Sequence, residues 1–129
     1  MSPVAGSPRE RLLVVDDDER VRNILRRFLE RKGFEVREAS GVLAALEDIA
    51  AFPPRLVLLD VAMPEIDGVE GLRRIRRLRP PPAVFMISGH DDGQIVQACL
   101  QLGAADYILK PFDLEYLELS LWTKIRTLA

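Results

Sequence analysis

Four short apolar runs, separated by helical patterns, constrain the fold of this chain more than any other feature. They are LLVV at 12–15, LVLL at 56–59, AVFMI at 83–87 and YIL at 107–109. Each stops at a residue with polar chemistry: Asp16-Asp17-Asp18, Asp60, Ser88 and Lys110-Pro111. Unbroken apolar strands imply burial on both faces, which is what a parallel sheet covered by helices on both sides provides. In open α/β sheets the ligand crevice lies outside the carboxyl ends of the strands. Acids, a hydroxyl and an ammonium are therefore expected to converge at one rim.

The intervening segments carry the 3.6-residue period. Val21, Ile24, Leu25, Phe28 and Leu29 share one face of a first helix that begins at an Asp18 N-cap and stops at Gly33. FEVRE supplies another strand. Leu43, Leu46, Ile49 and Ala50 are expected inward on a second helix that Pro53-Pro54 ends. The loop AMPEIDG leads to a third helix with Val69, Leu72, Ile75 and Leu78, closed by prolines at 80–82. Ile95, Ala98, Cys99 and Leu102 mark a fourth helix before Gly103, and Asp113 caps a fifth. The order is βα repeated five times. Right-handed crossovers leave a three-layer α/β/α sandwich of the doubly wound kind as the favoured topology.

A chain of 129 residues is one domain with a single sizeable core. Residues 1–10, MSPVAGSPRE, lack periodicity and are expected to form a flexible leader to a domain at 11–129. A net charge of −2 gives no general attraction to nucleic acid or anionic membrane. One cysteine, Cys99, makes no internal disulfide, and no stretch is long enough to span a bilayer. A cytoplasmic, soluble domain is the expectation.

Taken alone, Asp16-Asp17-Asp18-Glu19 reads first as a solvated turn that caps a helix and complements its dipole. Assigning the cap to Asp18 leaves Asp16 and Asp17 unexplained. Acids packed with Asp60 at one sheet edge are unfavourable unless a cation offsets them. Mg²⁺ suits one or two carboxylates, retained waters and a phosphate; Asp17 and Asp60 would supply the carboxylates, and Asp16 would hold a metal-bound water. A phosphoryl group in transfer spreads charge over three oxygens. Mg²⁺, Lys110, and the Ser88 hydroxyl with nearby backbone N–H groups are one way to serve them. Gly89 leaves room for close approach, and the Lys110-Pro111 turn aims the lysine. Individually, Ser88 reads as a plain turn residue.

Together, LLVVDDDE, LVLLDVAMPEIDG, VFMISGH and GAADYILKPF resemble, in order, the four motif blocks of the receiver domain of bacterial two-component response regulators. The resemblance covers residues 11–127. It implies a flavodoxin-like (βα)5 fold with sheet order 2-1-3-4-5. It also implies Asp60 as phosphoacceptor, Asp16 and Asp17 as the acidic pair for Mg²⁺, and the Ala62 carbonyl as a third protein ligand. Ser88 would be the switch hydroxyl, Lys110 the lysine beside the phosphoryl group, and Tyr107 the aromatic switch. The implied partner is a sensor histidine kinase or phosphotransfer protein, whose phosphohistidine supplies the group. The protein would be a signalling switch and not an enzyme beyond its own phosphorylation and dephosphorylation. Ala62 is apolar where many such domains are polar. His90, two residues after Ser88, would bear on phosphate lifetime by orienting or blocking water.

The expected output face comprises the fourth helix, fifth strand and fifth helix. In the last helix Leu114, Leu117, Leu121, Ile125 and Leu128 form the inward stripe. Tyr116 and Leu119 point away, with Trp122 at the border, a candidate homodimer or partner site. In GLRRIRRLRP the arginines Arg73, Arg74, Arg76 and Arg77 read as a solvated helix face, not as a nucleic-acid surface.

Two rivals remain at this stage. Haloacid-dehalogenase-like phosphatases place a nucleophile in Asp-x-Asp-x-Thr/Val after the first strand; Asp16-Asp17-Asp18-Glu19-Arg20 matches only the first half. A receiver-like binding module that signals without phosphate is the second, opposed by the intact Asp16, Asp17, Asp60, Ser88 and Lys110. No phosphate-binding glycine motif of nucleotide folds occurs. With no output domain after residue 129, the expectation is a stand-alone or excised receiver.

Overall fold

The computed structural model describes residues 9–89 and 91–128. Five strands alternate with five helices: β1 (Arg11–Val15), α1 (Glu19–Arg31), β2 (Glu35–Ala39), α2 (Val42–Ala51), β3 (Leu56–Asp60), α3 (Gly68–Arg76), β4 (Ala83–Ser88), α4 (Gly93–Gln101), β5 (Asp106–Leu109) and α5 (Leu114–Thr127). The strands form one parallel sheet in the order β2-β1-β3-β4-β5. This is the flavodoxin-like (βα)5 sandwich that the apolar runs and the resemblance implied.

Strand side chains alternate between two cores. Leu13, Val15, Val57, Leu59, Val84 and Met86 face α2, α3 and α4, meeting Val42, Leu72, Ile75 and Cys99. Leu12, Val14, Leu56, Leu58, Phe85 and Ile87 face α1 and α5, meeting Leu25, Leu29, Leu117 and Leu121. Each fully buried Leu or Phe contributes about 2 kcal/mol relative to exposure.

The helix signals act as read. The Asp18 and Asp113 carboxylates accept from the N–H groups of Arg20 (2.9 Å) and Glu115 (2.8 Å), satisfying first-turn donors. Gly33 and Gly103, at φ 99° and 102°, reverse the chain in the left-handed region after α1 and α4.

Three details of the helix faces differ from the expectation. Ile24 on α1 and Leu43 on α2 are both 57% exposed. In α2 the inward set is Val42, Ala45 and Ile49, with Leu46 partly buried and Ala50 exposed. The run VLAAL is apolar at every position, so its periodicity did not select the face. Trp122, expected at the border of the outer patch, is buried, its ring stacked on Phe34 at 4.3 Å between centroids. It belongs to the α1–α5 core, because burying a large ring against Phe34 removes more apolar surface than an outward rotamer would.

Of the expected leader, residues 1–8 lie outside the described residues. Glu10 is tied into the fold: its carbonyl accepts the Glu35 N–H at 2.9 Å, and its carboxylate lies 3.6 Å from the Arg55 guanidinium. Among the described residues, no helix is long and apolar enough to cross a membrane.

Candidate functional site

Parallel register brings the candidate residues to one rim. Val15 pairs with Leu59, so Asp16 and Asp60 follow side by side. Asp60 pairs with Ile87, and Ser88 with Leu109, so Ser88 and Lys110 continue the same edge. The Lys110 N–H donates to the Ser88 carbonyl at 2.7 Å, and the Lys110–Pro111 bond is cis.

Carboxylate oxygens of Asp16, Asp17 and Asp60 all lie within 4.8 Å of one another. Asp16 and Asp60 are buried, Asp17 is exposed, and the Ser88 residue is fully enclosed. The Lys110 ammonium bridges the two buried acids, 3.1 Å from Asp16 Oδ2 and 3.4 Å from Asp60 Oδ1, across 94 and 50 positions of sequence. Burial pushes the Asp60 carboxyl above its ordinary value, and the Asp16 charge adds to this; attraction to Lys110 offsets only part. Burial works against the Lys110 charge, yet its hydrogen bond and attraction to Asp16, then Asp60, leave that ammonium more basic than usual.

Three acids around one ammonium leave an excess of negative charge in a partly desolvated notch. An all-oxygen donor set with that excess fits a hard divalent cation. In Asp16, Oδ1 accepts the Asp18 N–H at 2.9 Å and Oδ2 accepts from Lys110. Asp17 and Asp60 are therefore the acids better placed for direct ligation.

Of the other candidates, some border this notch and some do not. Ala62 is exposed in the β3–α3 loop, immediately past the site. Gly89 is exposed, and a Cβ there would meet no atom within 4 Å. Pro111 is exposed beside Lys110. Tyr107 is half-buried against the core beneath α2–α4. His90 lies outside the described residues. Tyr116 and Leu119 of α5 are 55% and 64% exposed, and Leu109 of β5 and Leu100 of α4 are exposed as well. Arg73 and Arg74 close on Glu70 at 2.7 and 3.0 Å, which occupies half of the arginine face with ion pairs.

Two supporting features escaped the sequence reading. Gly68 opens α3 directly against the end of β3: a Cβ there would overlap the Asp60 carbonyl oxygen and sit 2.7 Å from Val61 Cα. The signal was the DG pair at 67–68, of which Asp67 is the N-cap and Gly68 the space-saver. Arg22 donates to the Asp16 carbonyl at 2.7 Å, a contact that no local pattern announces.

The β3–α3 loop is further constrained at Glu65, whose φ of 67° is left-handed. That conformation costs a side-chain-bearing residue about 1–2 kcal/mol. Glu65→Gly should therefore raise stability by about 0.5–1 kcal/mol, after allowing for the extra chain entropy of glycine. A urea midpoint at or below that of the wild type would count against strain at this position.

The comparisons with known proteins agree with this geometry. The family model for the response regulator receiver domain matches residues 12–121. Response regulator MprA of Mycobacterium ulcerans (strain Agy99) is 42% identical over 107 residues, covering 83% of this chain and 46% of that protein. Regulatory protein AtoC of Escherichia coli (strain K12) is 36% identical over 109 residues, covering 84% of this chain and 24% of that protein. The chain thus spans less than half the length of these curated relatives. A CheY-like receiver domain from Methanospirillum hungatei JF-1 superposes with a TM-score of 0.89 at 29% identity, covering 93% of this chain and 96% of that one.

The dehalogenase-like alternative is not favoured: the second acid it would need, Asp18, is the N-cap of α1, and the family match points elsewhere. With the fold, the acidic notch and this match in agreement, the chain belongs to the response regulator receiver domain family.

Proposed function

We propose that Asp60 accepts a phosphoryl group from a phosphohistidine of a sensor kinase or phosphotransfer protein, in a Mg²⁺-dependent reaction. One observation carries this reading: three carboxylates within 4.8 Å of one another, the two buried ones bridged by Lys110, at the carboxyl edge of a parallel sheet. Asp17, Asp60 and the Ala62 carbonyl would hold the metal, with Asp16 engaging it through water. When bound, Mg²⁺ neutralises charge between the acceptor and the incoming group.

A carboxylate oxygen of Asp60 forms the new P–O bond as the P–N bond of the donor breaks, and the departing imidazole takes up a proton. Lys110, already at the Asp60 carboxylate, stabilises a phosphoryl oxygen. The Ser88 hydroxyl and backbone N–H groups near Gly89 serve another; His90 and the apolar Ala62 bear on how long the product persists. The Lys110–Pro111 turn orients the lysine.

The new dianion is a local charge change that a packed fold can transmit. Ser88 would move toward it and Tyr107 would turn further inward, reshaping the α4–β5–α5 face. The domain thereby acts as a switch for an output partner, in the cytoplasm, without itself contacting nucleic acid.

The direct test is intact-mass analysis after incubation with Mg²⁺ and acetyl phosphate. One added phosphoryl group is expected, with none formed after chelation; an unmodified mass would overturn the proposal. The receiver-like module without phosphate chemistry predicts that unmodified mass and no Mg²⁺ affinity.

Tyr116, Leu119, Leu109 and Leu100 make the α4–β5–α5 face apolar enough for a homodimer or partner site. On phosphorylation the wild type is expected to sediment faster as a dimer grows at the expense of monomer. The Tyr116→Glu, Leu119→Glu double variant should remain monomeric. Sedimentation identical to that of the wild type in both states would rule out a dimer through this patch.

A further inference from the structure

We propose that Arg22, braced by Glu38, is a positioning residue for the Asp16–Asp17 pair. The inference rests on the metal reading above and extends it to residues outside the acidic notch.

Asp16 is held at all four polar positions. Its N–H donates to the Ala39 carbonyl at 3.2 Å, Oδ1 accepts from the Asp18 N–H and Oδ2 accepts from Lys110. The fourth position, the backbone carbonyl, accepts from Arg22 Nη1 at 2.7 Å. That carbonyl shares a rigid peptide plane with the N–H of Asp17. Pinning the oxygen therefore sets the direction in which the chain leaves toward Asp17. Asp17 is exposed at the mouth of the notch, so its aim depends on this backbone plane more than on packing.

Arg22 is itself fixed. Its Nε donates to Glu38 Oε1 at 3.1 Å, and the two side chains are only 15% and 22% exposed. One guanidinium edge thus faces β2 while another faces the β1–α1 turn. The other Glu38 oxygen makes a charge contact with Arg26, 3.1 Å from its Nε, one turn further along α1. Arg26 shares the brace yet has no bond to Asp16 among the described contacts, which makes it the matched control. Partners behind metal ligands alter affinity because they fix ligand orientation.

The sign of the effect separates positioning from charge. Removing a cation beside a metal site should strengthen Mg²⁺ binding if Arg22 acts only through its field. Loss of a pinned carbonyl should weaken it. Arg22→Met keeps the aliphatic stem and removes both charge and donor. Calorimetric Mg²⁺ titration of the unphosphorylated protein should show about 10-fold weaker binding for Arg22→Met. Arg22→Lys, which keeps a charged donor, should stay within about 3-fold of wild type. Arg26→Met should bind as tightly as the wild type or tighter.

Binding by Arg22→Met that matches or exceeds the wild type would overturn the inference, as would equal weakening in Arg26→Met. Native circular dichroism of each variant shows that folded proteins are being compared. Should Arg22→Met not fold, Arg22→Gln takes its place. It too lacks the charge, and its shorter side chain leaves the carbonyl without the donor. Binding weaker than wild type then supports positioning, and equal or tighter binding overturns it. A wild type that takes up no Mg²⁺ would overturn the metal reading and this inference together.

Discussion

Asp60→Asn protein should take up no phosphoryl group from acetyl phosphate and Mg²⁺ under conditions that label the wild type fully. An amide oxygen carries no full negative charge to attack phosphorus, and an amide is a poorer partner for a divalent cation than a carboxylate. The Asp60 acid is surrounded by Asp16 and Asp17 within 4.8 Å and touched by Lys110, so its replacement alters acceptor and metal site together. Mass spectrometry of the intact variant decides the matter; label retained there would assign the acceptor role elsewhere.

The same variant should be more stable than the wild type without metal. Burial, then the Asp16 charge, raises the Asp60 carboxyl above its ordinary value near 3.8. An acid raised in the folded state favours folding when protonated and opposes it when ionised. The penalty is absent below the unfolded value, grows as pH rises toward the native value, and is full above it. Asp60→Asn removes it, so the variant should unfold at a higher temperature than the wild type wherever the acid is ionised. The difference from wild type should shrink toward zero in acid. A constant difference across pH would show that ionisation of Asp60 is not its source.

Gly68→Ala should be strongly damaging, since the space at its Cβ is taken by backbone. The added carbon would overlap the Asp60 carbonyl oxygen and crowd Val61 Cα at 2.7 Å. Both neighbours are backbone, so no side chain can swing aside. The Gly68 N–H also donates to the Val61 carbonyl at 2.8 Å, so the first turn of α3 is fastened to the end of β3. Separating them moves the loop that carries Ala62 and tilts the peptide after Asp60. A loss of about 2–4 kcal/mol is expected from such overpacking, with Mg²⁺ binding weakened by at least about 10-fold. Urea unfolding and a metal titration measure the two effects. Wild-type values in both would show that helix and strand part without cost.

The site was more legible in sequence than the faces of the helices. Asp16, Asp17, Asp60, Ser88 and Lys110 each terminate an apolar run, and a parallel sheet sends all such termini to one edge. In α2, by contrast, VLAAL offers no polar residue to mark the outer side, and Leu43 proved exposed. Trp122 lies on the helix next to residues that do face outward, and only the presence of Phe34 beneath it drew the ring inward.

Local chemistry along the chain determined where strands and helices begin and end. Side-chain period, Asp caps and left-handed glycines act over a few residues, and those distances are written in the sequence. Only the tertiary structure decided that Lys110 lies between Asp16 and Asp60, that Arg22 holds the Asp16 carbonyl, and that Gly68 must lack a side chain. Those contacts depend on how the sheet orders its strands and how each helix rolls as the two cores close, which is a property of the packed whole and not of any one segment.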